Sequence, residues 1–321
     1  MLRILRRRLL LAVPLLLGVI VMNFLLIQAA PGTLLDVITS DQQITDAATL
    51  AHLRVTFGVD QPVWVQLLRY IAAIARLDFG FSYRQNMPVL QAILQRLPAT
   101  LLLMTSALAI AVTLGVAAGM LAATKVRTLW DTLVSVAAVV CFAAPSFWLG
   151  IMLIILFSVK LGWLPVGGMH TVGGPPGIIA DIRDIASHLV LPATSLGLFY
   201  AAVYARLMRS SMLEVALLDF VRTARAKGLG RMRVILMHIA RNALLPVVTL
   251  LGLQLGTVLG GSVVIESVFS WPGIGTLLYD SVESRNYPVV LGVLIFSAAA
   301  VIVVNMLVDL AYLRLDPRTR R

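Results

Sequence analysis

The sequence predicts an all-α integral membrane protein with six transmembrane helices, and three observations carry that expectation. Of its 321 residues, 60% are hydrophobic and only 13% charged, against roughly 45–50% and about 25% in soluble domains. The apolar residues fall in uninterrupted blocks of about 20, the length that crosses a hydrocarbon layer of about 30 Å as a helix. Between those blocks the basic residues alternate along the chain between crowded and sparse connections.

The six apolar segments are 9–30, 99–123, 132–159, 188–208, 244–265 and 289–312. Arg3, Arg6, Arg7 and Arg8 precede the first, which is longer than a secretory signal core and runs through Ala29 and Ala30 into Pro31. A retained N-terminal transmembrane helix, 1–30, is therefore expected rather than a cleaved leader. The N-terminus holds 4 Lys or Arg, the stretch around Lys125 and Arg127 holds 2, Arg206 to Arg241 holds 8 and the C-terminus 4, so 18 of 26 lie in alternate connections. The positive-inside rule assigns those connections to the cytoplasm. An even number of spans then places both termini there. The formal charge of +11, which in a soluble protein would suggest a nucleic-acid partner, is accounted for by this asymmetry, and no such partner is expected.

Residues 31–94 form an external loop with short helices. Within it Asp60-Gln61-Pro62 reads as a turn or helix start, followed by Val65, Leu67, Leu68, Ile71, Ile74 and Ala75 at largely helical spacing. Either an interfacial helix or a short helix packed on the external mouth fits that pattern. Residues 95–312 form the main transmembrane domain, and 313–321 a cytoplasmic tail. The cytoplasmic connection 210–243 is amphipathic, with Met212, Leu213, Ala216, Leu217, Phe220, Val221 and Ala224 on one face and a turn at Gly228-Leu229-Gly230.

Enzyme chemistry is not encoded in recognisable form. The sequence has no G-x-x-x-x-G-K-S/T phosphate loop, no H-E-x-x-H and no G-x-S-x-G. His52, His170, His188 and His238 are dispersed, so no metal site is expected, and Cys141 reads as a packing residue within an apolar block. A carrier driven by an ion gradient needs ionisable groups near the membrane midplane. Here Arg206, Arg209 and Asp309 lie toward the cytoplasmic ends of their segments, and Asn305 with Asp309 reads as an interhelical contact or an ion site.

Gly252, Gly256 and Gly260 recur at every fourth residue, as do Gly115 and Gly119. Such faces let helix backbones approach closely, either within the subunit or at a dimer or pore contact. Gln254 and Thr257 line a polar path or pair with neighbours, and Pro145 kinks the third segment as a pore element or a packing adjustment.

Phe220-Val221-Arg222-Thr223-Ala224-Arg225-Ala226-Lys227-Gly228-Leu229, followed by His238 to Pro246, resembles the coupling loop of binding-protein-dependent ABC importer permeases. Arg222, Thr223 and Ala224 take the places of E-A-A in that loop's E-A-A-x-x-x-G pattern, and Gly228 takes the glycine. The leading acid is absent, and R-T-A-R-A-K-G is similar to the form of the dipeptide and oligopeptide branch. Further segments agree in order: Phe57 to Pro62, Arg96 to Thr100, Pro145 to Gly150, Leu164 to Gly168, Glu266 to Gly275, Asp309, and Leu315 to Arg318. The long external loop after the first helix resembles that of the B-type subunit.

The resemblance implies a type I ABC importer permease fold in the bacterial inner membrane, with the second to sixth helices as its core. It implies a second homologous permease subunit, ATPase subunits that bind ATP and magnesium beneath the pair, and an external solute-binding protein. This chain itself would hold no cofactor and catalyse no reaction, and membrane lipid would surround it. Substrates implied are di- or oligopeptides, with nickel complexes, glutathione or, outside this class, an ion-coupled carrier as alternatives. The ATPase contact falls on Arg222, Thr223, Ala224, Ala226, Lys227 and Gly228, and Trp271, Pro272 and Gly273 are expected to shape the external mouth.

Overall fold

The computed structural model describes residues 2–29, 61–82, 84–174, 177–256, 258 and 262–315. The chain divides into two compact units, Met1–Pro98 with Gly273–Arg321, and Ala99–Pro272.

In the first unit α1 (Leu2–Ala29) packs on α2 (Val63–Ala75) and on α11 (Tyr287–Leu315). Ile20, Ile74 and Ile295 make their shared core. Val63, Trp64 and Leu68 of α2 stay exposed, an apolar face that suits the membrane interface better than water. A two-residue hairpin, β1 (Phe81–Ser82) antiparallel to β2 (Met87–Pro88), precedes α3 (Val89–Thr124). The hairpin is tied to the connection between α10 (Ile274–Glu283) and α11. There Asn286 Nδ2 donates to Ser82 Oγ at 2.8 Å and Arg84 to the Ser284 carbonyl at 3.0 Å.

The second unit holds most of α3, then α4 (Leu129–Ala143), α5 (Ser146–Lys160), α6 (Ile178–Val215), α7 (Asp219–Ala226), α8 (Arg231–Leu255) and α9 (Val263–Val268). Small residues set the α3–α6 contact. A side chain at Gly115 would stand 2.7 Å from the Ala201 carbonyl, and one at Gly119 2.5 Å from that of Ala205. Gly197, one turn before Ala201 on the same face of α6, returns the contact, and a side chain there would stand 3.1 Å from the Ala107 carbonyl. The Gly115/Gly119 face therefore serves packing inside the subunit.

Among the described residues four helices are long and apolar enough to cross a membrane: Val89–Thr124, Ile178–Val215, Arg231–Leu255 and Tyr287–Val308. The third predicted segment is not one straight span. Pro145 stands between α4 and α5, which meet at 104° and count as a fifth span only if taken together. The remaining predicted span falls on α1, whose apolar stretch is Leu10–Leu26. The fifth predicted segment is also corrected. Its helix begins at Arg231 and ends at Leu255, because an apolar-block reading omits the charged turns by which a helix projects beyond lipid. The apolar set from Met212 to Ala224 is divided between two helices, since Leu218 is extended (ψ 148°) and separates α6 from α7.

Candidate functional site

The basic connection after α6 folds into a short helix with defined ends. Leu218 provides the carbonyl that accepts from Val221 N–H at 3.0 Å, opening α7. At its end the Leu229 N–H reaches back to the Ala224 carbonyl and the Gly228 N–H to that of Arg225, the paired closure of a Schellman motif. That closure requires a left-handed residue, and Gly228 has φ +76°. Glycine takes this conformation without a Cβ penalty.

Val221 and Ala224, three residues apart on α7, are buried in a cluster with Val234, Ile239 and Ala240 of α8. Arg222, Thr223, Ala226, Lys227 and Gly228 are exposed. At 3.6 residues per turn, Arg222, Thr223 and Ala226 lie on the side of α7 opposite the buried pair. Ala224, assigned by the sequence to an outward contact, instead anchors the helix to its own subunit. Arg222 and Asp219 approach at 3.5 Å, but both are exposed, so the pair adds little to stability.

A second concentration of the recognised segments is buried. Trp271 is fully inaccessible, and its indole N–H donates to the Ala99 carbonyl at 2.8 Å. Its own N–H donates to the Glu266 carbonyl at 2.7 Å. Glu266 is equally inaccessible and accepts from Thr100 Oγ1 at 2.9 Å. Phe269 lies against Gly150, and its carbonyl accepts from Gly168 N–H at 2.7 Å. Segments dispersed over more than a hundred residues of sequence thus meet around three side chains. Trp271 is an internal anchor here rather than a mouth-facing group. Pro272 is half-buried, and Gly273 is buried at the start of α10.

Of the helix-packing residues, Gly252 and Gly256 are buried, and Gly260 and Thr257 lie outside the described residues. Gln254 accepts from the hydroxyl of the buried Tyr204 at 2.8 Å, which joins α8 to α6. Asn305 is exposed on α11, whereas the Asp309 side chain lies outside the description. Among the described residues no group of three His, Cys, Asp or Glu side chains is arranged to hold a metal.

Sequence reading missed two polar links. Asp131 on α4 and Arg209 on α6 form a bidentate pair, and Asp184 on α6 accepts from both the N–H and the hydroxyl of Thr171, at 2.7 and 2.6 Å. Both join distant positions, and no local pattern announces either.

The sequence profile described as "Binding-protein-dependent transport system inner membrane component" matches residues 115–321, well over half of the chain. The chain belongs to that family. A companion profile, for the N-terminal part of such membrane components, matches residues 1–104. Similar proteins include the di/tripeptide transport system permease protein DppB of Pseudomonas aeruginosa, 40% identical, and the dipeptide transport system permease protein DppB of Escherichia coli, 38% identical. Each comparison covers 100% of this chain and 99% of the relative. The oligopeptide transport system permease protein AppB of Bacillus subtilis is 39% identical over 97% of both chains. A chain from an inward-facing structure of the MetNI methionine ABC transporter superposes with a TM-score of 0.50 at 17% identity, covering 72% of this chain and 98% of that one. At that identity the match carries the fold, which is the type I importer permease fold.

As a member of this family the permease is a membrane-embedded transport subunit of an ABC importer and not an enzyme. ATP hydrolysis belongs to a separate subunit, and the family works with ATPase and substrate-binding partners in general. An ion-coupled carrier is not supported by these relationships. The permease is an inner-membrane protein with several apolar helices.

Proposed function

We propose that this permease carries di- or oligopeptides inward as one of two homologous subunits, by alternating access driven through α7. In this reading the loop 210–243 and both termini are cytoplasmic, 95–312 is the transporting domain, and an external solute-binding protein delivers the peptide. ATP and magnesium are bound by the ATPase partners. The observation that carries the reading is the two-sided character of α7. Its inner side is fastened to α8 through Val221 and Ala224, while Arg222, Thr223, Ala226, Lys227 and Gly228 are presented outward. A short helix fixed on one side and exposed on the other seats in a groove of a soluble partner and moves with the helices that hold it. The peptide substrate is supported by the names of the full-length relatives.

The test is peptide-stimulated ATP hydrolysis in proteoliposomes that contain this permease, its paired subunit, the ATPases and the binding protein. Gly228→Pro and the exposed Ala226→Glu are compared with the wild type. Stimulation in the wild type, lost in both variants while the complex still assembles, upholds the coupling role. Stimulation that survives both variants removes α7 from the pathway, and an absence of stimulation by any peptide refutes the substrate assignment.

A further inference from the structure

Arg206 and Arg209 stand on consecutive turns of α6, and among the described residues only Arg209 is paired with an acid. That acid, Asp131, lies on the first turn of α4, just after the charged connection that holds Lys125 and Arg127, so it marks the edge of the apolar layer. Phe142 lies about 16 Å further along α4 at 1.5 Å per residue, and stacks on Phe199 of α6 with ring centroids 5.6 Å apart. The two contacts thus mark two levels of one antiparallel helix pair, the edge and near the middle of a layer of roughly 30 Å. Arg206 has its Cα near the first level, but its guanidinium carbon lies 4.4 Å from the centre of the Phe142 ring, at the second. An arginine near the end of a span ordinarily turns its tip toward water. This one turns inward, in the direction that helical side chains lean, toward the N-terminus of α6. Arg206 and Phe142 are both exposed, so their own subunit does not cover them.

We infer that Arg206 is a specificity-determining residue of the transport path and holds the terminal carboxylate of a peptide in transit, an assignment that rests on the peptide reading above. A guanidinium that met lipid at this depth would be costly, and intramembrane charges face the bundle interior or a water-filled path. The aromatic face favours the cation without neutralising it, and the fork of donors at its edge is left to an arriving carboxylate, whose geometry it matches. The neighbouring backbone narrows the choice of anion. The Val140 carbonyl accepts from the Ala144 N–H at 3.0 Å, but the next carbonyl has no helical donor, because residue 145 is proline, and α5 leaves at 104°. Phe142 therefore joins the ring beneath the guanidinium to the negative end of a half-helix. A lone acid from a second subunit would be repelled by that end. A zwitterion answers both features, with its carboxylate on Arg206 and its ammonium toward the α4 carbonyls. Short peptides carry these two groups whatever their side chains, so the pair selects peptides as a class without reading their sequence.

The experiment is a cycle of two permeases against two ligands. Uptake of alanyl-alanine and of alanyl-alaninamide is measured in the reconstituted complex at saturating binding protein, for the wild type and for Arg206→Gln. A preference of the binding protein itself is common to both permeases and cancels in the ratio. The preference for acid over amide should be on the order of 10-fold lower in Arg206→Gln than in the wild type, the scale of a hydrogen bond to a charged group. Arg206→Lys should fall between them, which separates charge from misfolding. Equal loss for both ligands overturns the assignment and gives Arg206 to a fixed contact with a neighbouring subunit, and an unchanged ratio overturns it as well. A second readout does not depend on delivery of the amide. The complex, with its arginine nitrogens isotopically labelled, is arrested by vanadate with unlabelled binding protein and alanyl-alanine labelled at its carboxyl carbon. Solid-state NMR should then show a nitrogen–carbon dipolar coupling that is absent from Arg206→Gln. No coupling in the wild type, or the same coupling in the variant, overturns the contact. A wild-type complex that takes up neither ligand refutes the peptide reading, whereas uptake with an unchanged ratio refutes only the role of Arg206.

Discussion

Arg209 holds Asp131 in a fork. Its Nε donates to Oδ1 at 2.7 Å and a terminal nitrogen to Oδ2 at 3.0 Å, and the Arg127 N–H adds a third donor at 3.1 Å. The carboxylate is on the first turn of α4, and the guanidinium is six positions before the end of α6. Asp131→Asn and Arg209→Gln should each lower the melting temperature of the detergent-solubilised permease. Arg209→Lys should fall between them and the wild type, because an ammonium cannot make two parallel bonds. Exchanging the pair, Asp131→Arg with Arg209→Asp, should recover part of the loss. If the exchange is worse than both single variants summed, orientation at this site matters more than pairing.

Gly115 and Gly119 leave no room for a methyl group, whereas among the described residues nothing lies within 4 Å of the position a side chain would take at Gly18. Gly115→Ala and Gly119→Ala should destabilise the α3–α6 contact by about 1–3 kcal/mol each, the usual cost of overpacking. Gly18→Ala, in the exposed part of α1, should be neutral or favourable, as alanine is the better helix former. Thermal unfolding of the three variants side by side checks the contrast. Equal behaviour of all three would show that the α3–α6 interface gives way easily.

Gly228 is a conformational requirement before it is a contact. Gly228→Asn should preserve most peptide-stimulated hydrolysis, Gly228→Ala should lose part of it, and Gly228→Val most of it. That order follows tolerance of the left-handed region, where a non-glycine residue costs roughly 1–2 kcal/mol. Hydrolysis rates of the reconstituted complex give the ranking. If asparagine and valine behave alike, the side chain rather than φ is what the site rejects.

The buried junction gives a graded series. Trp271→Phe keeps an aromatic ring but loses the pyrrole half of the indole and its bond to Ala99, the bond alone being worth about 1 kcal/mol. Trp271→Ala should cost roughly 3–5 kcal/mol through the cavity left behind. Thr100→Val and Glu266→Ala, measured singly and together, should show a coupling of about 0.5–3 kcal/mol if their hydrogen bond is energetically significant. Chemical denaturation in mild detergent provides the values, and strict additivity would mean that the two side chains are independent neighbours.

Much of this architecture can be read from the order of residues. Apolar length located the helices, and alternating Lys and Arg density suggested the placement of the connections. Pro145 marked a break, although proline alone does not distinguish a kink from the 104° turn between α4 and α5. The loop motif around Arg222 to Gly228 was legible because it is local. Its division into an inner and an outer side became clear only with α8, whose residues bury Ala224. Glu266 and Thr100 are separated by 166 positions, and Asp131 and Arg209 by 78. Pairs so far apart are brought together by packing, and helical period carries no trace of them.

The break at Pro145 has a consequence for hydration. α4 contains 15 residues, about 22 Å of helix, short of the roughly 30 Å of hydrocarbon it enters. The last carbonyls of α4 and the first amides of α5 therefore come free while still at membrane depth. Hydrocarbon cannot solvate them. Ala143 and Pro145 are not covered by the rest of the subunit, so the freed groups at the turn need partners from outside it. A zwitterion crossing near this turn would meet backbone dipoles, negative at the end of one half-helix and positive at the start of the next.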